Sequence, residues 1–412
     1  MPRTLRPGPF KFVVAGQGLS QFGDTLLYVG GLWFLQTVSP WLLGVAGLVM
    51  AVPATISYLG GGLADRIGAR ELMWRTDVVR GAIIVGCAVG VIVLPAAGVI
   101  LVLLGLAVTS LGNALFTPSQ LALLPRLFSS SQDLTAGNSI LNGTSRLADT
   151  LGRVAGTAAL LAIRLVGLFA VDAVTFFASA LFVRRVPKDE RAADVSPRGR
   201  RHAWSDLRQG FAYSRRLGWF FKIVPPVIVI NLALSGGMIT LPILVQRTLH
   251  ASAPTYGVLL AVWSLGQFAG AFFALLAGGK QPRAVCGTAA LIQALALLGV
   301  TLGGTVLAAA LGIGIAATAN SMSNVARTTL MQRLIPAEAR GRVFGLQGTF
   351  ISVANPFAAF IAVKLALSLF PGFVWILVSL PTLWLSVLYW TLPEFRLGTD
   401  EVNAITYPED TN

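Results

Sequence analysis

Twelve apolar stretches, each about 20 residues long and parted by short breaks, decide what this chain can become. Charged residues make up 12% of it, about half the share of a soluble domain, against 55% hydrophobic. Such a chain cannot cover itself with polar surface in water. In hydrocarbon, backbone N–H and C=O groups must find partners within their own segment, so the stretches are expected to be helices. The spacing predicts spans near 11–38, 42–64, 72–94, 97–124, 134–163 and 165–186, then 219–248, 255–279, 284–303, 305–332, 340–368 and 371–393. The expectation is an all-α integral membrane protein with twelve transmembrane helices. Its parts would be a six-helix bundle over 1–186, a basic linker over 187–217, a second six-helix bundle over 218–394 and a tail over 395–412.

The net charge of +14 invites a nucleic-acid reading, but its placement argues against one. Of the 31 Lys and Arg, 11 fall between Arg184 and Lys222, and most of the others lie in short breaks on one side of the predicted spans. That is the pattern that orients helices, and it puts both termini and the linker in the cytoplasm. Contact of the basic linker with anionic lipid headgroups is expected as a minor role. Cys87 and Cys286 lie far apart in apolar stretches, and His202 and His250 belong to no cluster, so neither a disulfide nor a metal site is expected. No phosphate-binding glycine loop or Ser-His-Asp set is present, so neither an enzyme nor a cofactor is expected. The two halves echo one another weakly: Arg126-Leu127 after span 4 parallels Arg333-Leu334 after span 10.

After span 2 comes Gly61-Gly62-Leu63-Ala64-Asp65-Arg66-Ile67-Gly68-Ala69-Arg70. It resembles the loop signature of the major facilitator superfamily, G-x-L-a-D-r-x-G-r-[RK]. Gly143, Gly152 and Gly156 in span 5 match most of that superfamily's antiporter signature, with Thr157 standing where Pro is expected. The stretches Gln17 to Asp24, Asp172 to Phe176, Leu241 to Val245 and Arg340 to Gly345 are similar to the subfamily of macrolide, tetracycline and multidrug efflux proteins and the enterobactin exporter. The resemblance implies two six-helix pseudo-repeat bundles around a central cavity, alternating access, and a bacterial inner membrane. It also implies a cytoplasmic latch of Gly61, Asp65, Arg66 and Arg70, reaching Arg342 at the start of span 11. Asp77 and Arg80 are expected to join that latch.

Charges within a bilayer cost about 2.5–3.5 kcal/mol on insertion scales, so each needs a reason. Span 1 carries Gln17, Gln21, Asp24 and Tyr28 on one helical face. Asp24 is the first candidate for proton coupling, with a structural carboxylate as the alternative. Span 5 carries Asn138, Asn142, Arg146, Asp149 and Arg153 on one face. Asp149 could titrate, and Arg146 or Arg153 could contact an anionic or carbonyl-rich substrate, or the row could be a self-neutralising ladder. Arg153 is expected to pair with Asp172 of span 6. In the second half Asn231, Trp263, Asn320, Asn324, Gln347 and Asn355 are cavity candidates, and no carboxylate falls within its spans.

The favoured function is a monomeric, proton-coupled exporter of amphipathic small molecules. A lipid, lysophospholipid or siderophore transporter of the same fold, or a non-transporting sensor or assembly partner, are the alternatives.

Overall fold

The computed structural model describes residues 8–55, 67–128, 131–187, 211–215, 217–277, 282–335 and 337–395. Gly61, Asp65 and Arg66 of the expected latch, most of the linker and the tail lie outside them. Every described regular element is a helix. In chain order these are α1 (Phe10–Val38), α2 (Trp41–Thr55), α3 (Ala69–Val93), α4 (Gly98–Leu127), α5 (Ser131–Arg184), α6 (Phe220–Arg247), α7 (Ala253–Leu276), α8 (Pro282–Leu302), α9 (Val306–Leu334), α10 (Ala337–Ser368) and α11 (Phe373–Thr391). Helix α5 holds two of the predicted spans. Its course breaks at Arg164, where φ is 57° and ψ −175°, into limbs 131–163 and 165–184. Twelve helical segments therefore stand where twelve were expected. Among the described residues, nine stretches are long and apolar enough to cross a membrane. Helix α1, with its row of Gln17, Gln21 and Asp24, is not in that set.

The chain divides into two compact units. The first is Met1–Arg200 with Ser252–Ala261 and Ala359–Lys364, and the second is Arg201–Ala251, Val262–Ala358 and Leu365–Asn412.

In the first unit, α1 packs along both limbs of α5. Small residues make this approach possible. A methyl group on Gly152 would stand 2.8 Å from Thr25 Cβ and 2.9 Å from the Phe22 carbonyl, and one on Gly156 would stand 2.8 Å from Val29 Cβ. The glycines of α1 answer from the other side: Gly16 lies against Ser179, and Gly23 against Thr175 and Asp172. Lipid tails are as apolar as the helices, so close van der Waals contact of this kind drives their association. Two of the three antiporter-signature glycines thus form the seam between α1 and α5, whereas a methyl on Gly143 would meet nothing within 4 Å among the described residues. Helix α4 is tied to α2 by a hydrogen bond from Ser110 Oγ to the Met50 carbonyl.

In the second unit, α8 packs against α9 and α11, and α11 against α6. The same device recurs here. Gly266 of α7 approaches α9 so closely that a methyl would stand 2.6 Å from the Gly314 carbonyl, and Gly287 of α8 lies under the Trp390 indole. Arg283 covers that indole with its guanidinium 5.1 Å from the ring centroid.

Candidate functional site

Helices α1, α3, α4 and the second limb of α5 bring together the most concentrated charge among the described residues. Arg80 of α3 is the hub. Its guanidinium donates to Asp77 Oδ1 one turn back and to Asn113 Oδ1 of α4 at 3.2 Å, and it stands 3.8 Å from Asp24 Oδ2. Asn113 Nδ2 donates to the same Asp24 oxygen at 3.1 Å. Ser179 of α5 donates to Asp77 Oδ2 at 2.6 Å. The guanidinium also lies over the Phe176 ring, 4.2 Å from its centroid, and a methyl on Gly112 would run into the Arg80 side chain. Arg80 is 2% exposed and Asp77 0%, so these charges are held out of water and depend on each other.

The cluster backs onto a polar pocket of about 480 Å³ within the first unit. Gln21, Asp24, Thr25 and Tyr28 of α1 line one side, Thr109, Ser110, Asn113 and Thr117 of α4 another, and Asp149 of α5 closes it. Helical spacing places the α1 and α4 rows. The α4 row, at intervals of four from Thr109 through Asn113 to Thr117, carries no charge, and a search for charged rows passes over it. Its signal was the shared spacing of polar residues in an otherwise apolar helix.

Asp149 has its own partners. Arg153 Nε donates to Asp149 Oδ2 at 2.8 Å, Thr25 Oγ1 donates to Oδ1 at 3.0 Å, and Gln21 Nε2 donates to Thr25 at 3.3 Å. A chain of hydrogen bonds therefore crosses the α1–α5 seam. Further along the row, Asn138 and Asn142 turn their amides onto carbonyls of their own helix, and Arg146 is exposed. Gln17 Oε1 is buried with no hydrogen-bond partner among the described residues.

One expectation needs correction. Arg153 does not pair with Asp172: its ion pair is with Asp149 one turn back on the same helix, and both Asp172 oxygens are buried without a hydrogen-bond partner among the described residues. An intrahelical i, i+4 pair needs no reach across the bundle. Asp77 and Arg80 lie inside the bundle with Asp24, Asn113 and Ser179, and Asp65, their expected latch partner, lies outside the described residues. Arg70, also assigned to the latch, donates to the Arg184 carbonyl at the end of α5 and faces Glu71 at 3.8 Å. The side chain of Arg342 lies outside what is described.

In the second unit amides join polar residues of three helices, and one buried guanidinium takes part. Gln267 of α7 donates to Asn320 Oδ1 of α9 at 3.2 Å, and Asn320 Nδ2 reaches Gln293 of α8 at 3.5 Å. Gln267 and Gln293 were not among the expected residues, and again the missing signal was charge. Asn324 accepts from the buried Arg327. Asn231 donates to the Val227 carbonyl, Trp263 is half-buried, and the side-chain oxygens of Gln347 and Asn355 are buried without partners among the described residues. An apolar pocket of about 460 Å³ lies among α7, α8 and α9, lined by Val262, Ile292, Leu311, Ile315 and Met322.

Comparison with known proteins gives this geometry a context. The chain is 28% identical over 187 residues to the protein named "Putative bacilysin exporter BacE" of Bacillus subtilis (strain 168). That match covers 45% of this chain and 45% of the relative, so the chain spans less than half the length of the curated relatives it matches. Among solved structures, a D-xylose–proton symporter superposes with a TM-score of 0.68 at 17% identity, covering 94% of this chain and 98% of that one. The human organic anion transporter MFSD10 (TETRAN) gives 0.59 at 16%, covering 94% and 100%. At such identities these likenesses speak for the fold alone. The family model of the Major Facilitator Superfamily matches residues 13–359, most of the chain, and the chain belongs to that superfamily of transporters.

Proposed function

We infer that this chain is a secondary active exporter of amphipathic or lipophilic small molecules, working by alternating access and coupled to protons through Asp24 in a bacterial cytoplasmic membrane, with both termini in the cytoplasm. The observation that carries the reading is the position of Asp24. It lines the polar pocket, and behind the pocket wall it accepts from Asn113 and shares Arg80 with a second carboxylate, Asp77. A carboxylate in that position can release its hold on Arg80 when it takes a proton, which links proton binding to the packing of α1 against α3 and α4. The partial likeness to a protein named as an exporter supports the direction.

The test is energised efflux of ethidium from intact efflux-deficient cells expressing the chain, with and without a protonophore. Asp24→Asn is expected to leave the protein folded and ethidium-binding while ending gradient-driven transport. Efflux that stays active and protonophore-sensitive in Asp24→Asn would remove Asp24 from the coupling role.

A lysophospholipid substrate is the second reading, supported by the exposed Arg146 on the Asn138–Arg153 row of α5, where it could meet a phosphate. Headgroup-dependent thermal stabilisation that vanishes in Arg146→Ala would favour it.

A further inference from the structure

Asp172 is a buried carboxyl of the first unit for which the mechanism above has no use. It sits on the second limb of α5 at 0% exposure, and neither carboxylate oxygen has a hydrogen-bond partner among the described residues. Thr175 Oγ1, the nearest hydroxyl along the helix, is turned onto the Asp172 backbone carbonyl at 2.8 Å. Across the seam lies Gly23, whose missing side chain leaves room for Asp172 Oδ1. The neighbours on the same limb, Phe169, Ala173 and Phe176, are buried apolar groups.

The charged groups that face Asp172 are Asp24 from α1 and Asp77 and Arg80 from α3. Helix α4 contributes only the neutral Asn113, and on the first limb of α5 Asp149 and Arg153 are paired with each other. The cluster thus holds three carboxyls and one guanidinium. The donors are unequally shared. Asp77 has a donor on each oxygen, Asp24 has donors on Oδ2 alone, and Asp172 has none. A carboxylate held out of water with no donor costs far more than the neutral acid, so such a group keeps a proton. Asp24 Oδ1, next in sequence to Gly23, is another buried oxygen of the cluster without a partner among the described residues.

We propose that Asp172 is a proton-holding residue of this transporter: it stands as the neutral acid in the arrangement seen here and exchanges its proton with Asp24, Arg80 following the negative charge. In the exchange an O–H bond on Asp172 breaks and one on Asp24 forms. The charge leaves Asp24 for Asp172, and the cluster's net charge does not change. Arg80 can follow because it already lies between α1 and the second limb of α5, against Phe176 and within reach of Asp24. Asp24 faces the pocket and would be the member that meets water, and Asp172 the reserve behind it. The second step rests on the proton-coupled reading; the protonation of Asp172 does not.

Infrared spectroscopy of the purified full chain in detergent at neutral pH tests the first step without a substrate. The carboxylic-acid C=O band is expected in the unmodified protein, lost in Asp172→Asn and retained in Asp149→Asn. A band that survives in Asp172→Asn, or none in the unmodified protein, overturns the proposal. Should Asp172→Asn fail to fold, the unmodified protein grown with carboxyl-13C aspartate serves instead: the band must shift, and an unshifted band overturns it. Ethidium efflux from the same cells tests the second step, with gradient-driven transport expected to fall in Asp172→Asn as far as in Asp24→Asn while ethidium binding to the purified protein persists. Full efflux in Asp172→Asn with loss in Asp24→Asn would refute the exchange and leave the exporter reading standing. Full efflux in both would sink the role of Asp24 in that reading, and the infrared result would still decide where the proton sits.

Discussion

Removing the guanidinium of Arg80 is the most informative single perturbation in the first unit. In Arg80→Ala, Asp77 keeps only the Ser179 hydrogen bond and Asp24 only Asn113. Breaking a buried pair by deleting one partner costs about 3–5 kcal/mol, because the other charge is left behind. An independent route gives a similar figure. The orphaned Asp77 can escape by taking a proton, and an aspartate that ionises near about 3.9 in water pays about 1.4 kcal/mol per pH unit for this, or about 4 kcal/mol at pH 7. That route fixes the sign of the pH dependence. With Arg80 present Asp77 has a donor on each oxygen and can hold its charge, so the pair's contribution is complete at neutral pH. Without it the folded protein must bind a proton that the unfolded chain does not. The gap between the two proteins should therefore narrow as pH falls, to about 1.5 kcal/mol at pH 5. Equilibrium unfolding in mixed micelles at several pH values would measure it. Arg80→Ala combined with Asp77→Asn should recover most of the loss, since the double variant has no orphaned charge at that position. A loss below about 1 kcal/mol, as for a solvent-exposed pair, or one independent of pH would refute the reasoning.

The remaining predictions concern the seam and the α5 pair. Gly152→Ala should destabilise by about 1–3 kcal/mol through the clash with Thr25 and the Phe22 carbonyl, whereas Gly143→Ala should lie within about 0.5 kcal/mol of the parent; thermal unfolding of both compares them directly. Asp149→Asn should cost no more than about 1 kcal/mol, because the Asp149 and Arg153 side chains are 26% and 22% exposed and solvent screens the pair. Its melting temperature should sit well above that of Arg80→Ala. A larger loss for Asp149→Asn would show that the Thr25–Asp149 link across the seam matters more than the ion pair.

Much of this protein was legible in its sequence, and the reason is the solvent. Hydrocarbon admits few backbone arrangements, so the apolar stretches marked the helices to within a few residues in most cases, including the turn at Arg164. Period and charge likewise placed Gln21, Asp24 and Tyr28 on one face of α1, and Asp149 beside Arg153. Which helices would share those charges was not legible. Asp172 stands 19 residues beyond Arg153, and a hairpin drawn around Arg164 makes the two look like partners. The fold instead slides α1 between the limbs of α5, on glycines that permit close approach. Asp149 then answers Arg153 within its own helix, and Arg80 answers Asp24 from another. Spacing along a helix is a one-dimensional quantity, set by 3.6 residues per turn and readable residue by residue. The assignment of one guanidinium among three buried carboxyls depends on side-chain volumes at helix crossings, and only the packed tertiary structure decides it.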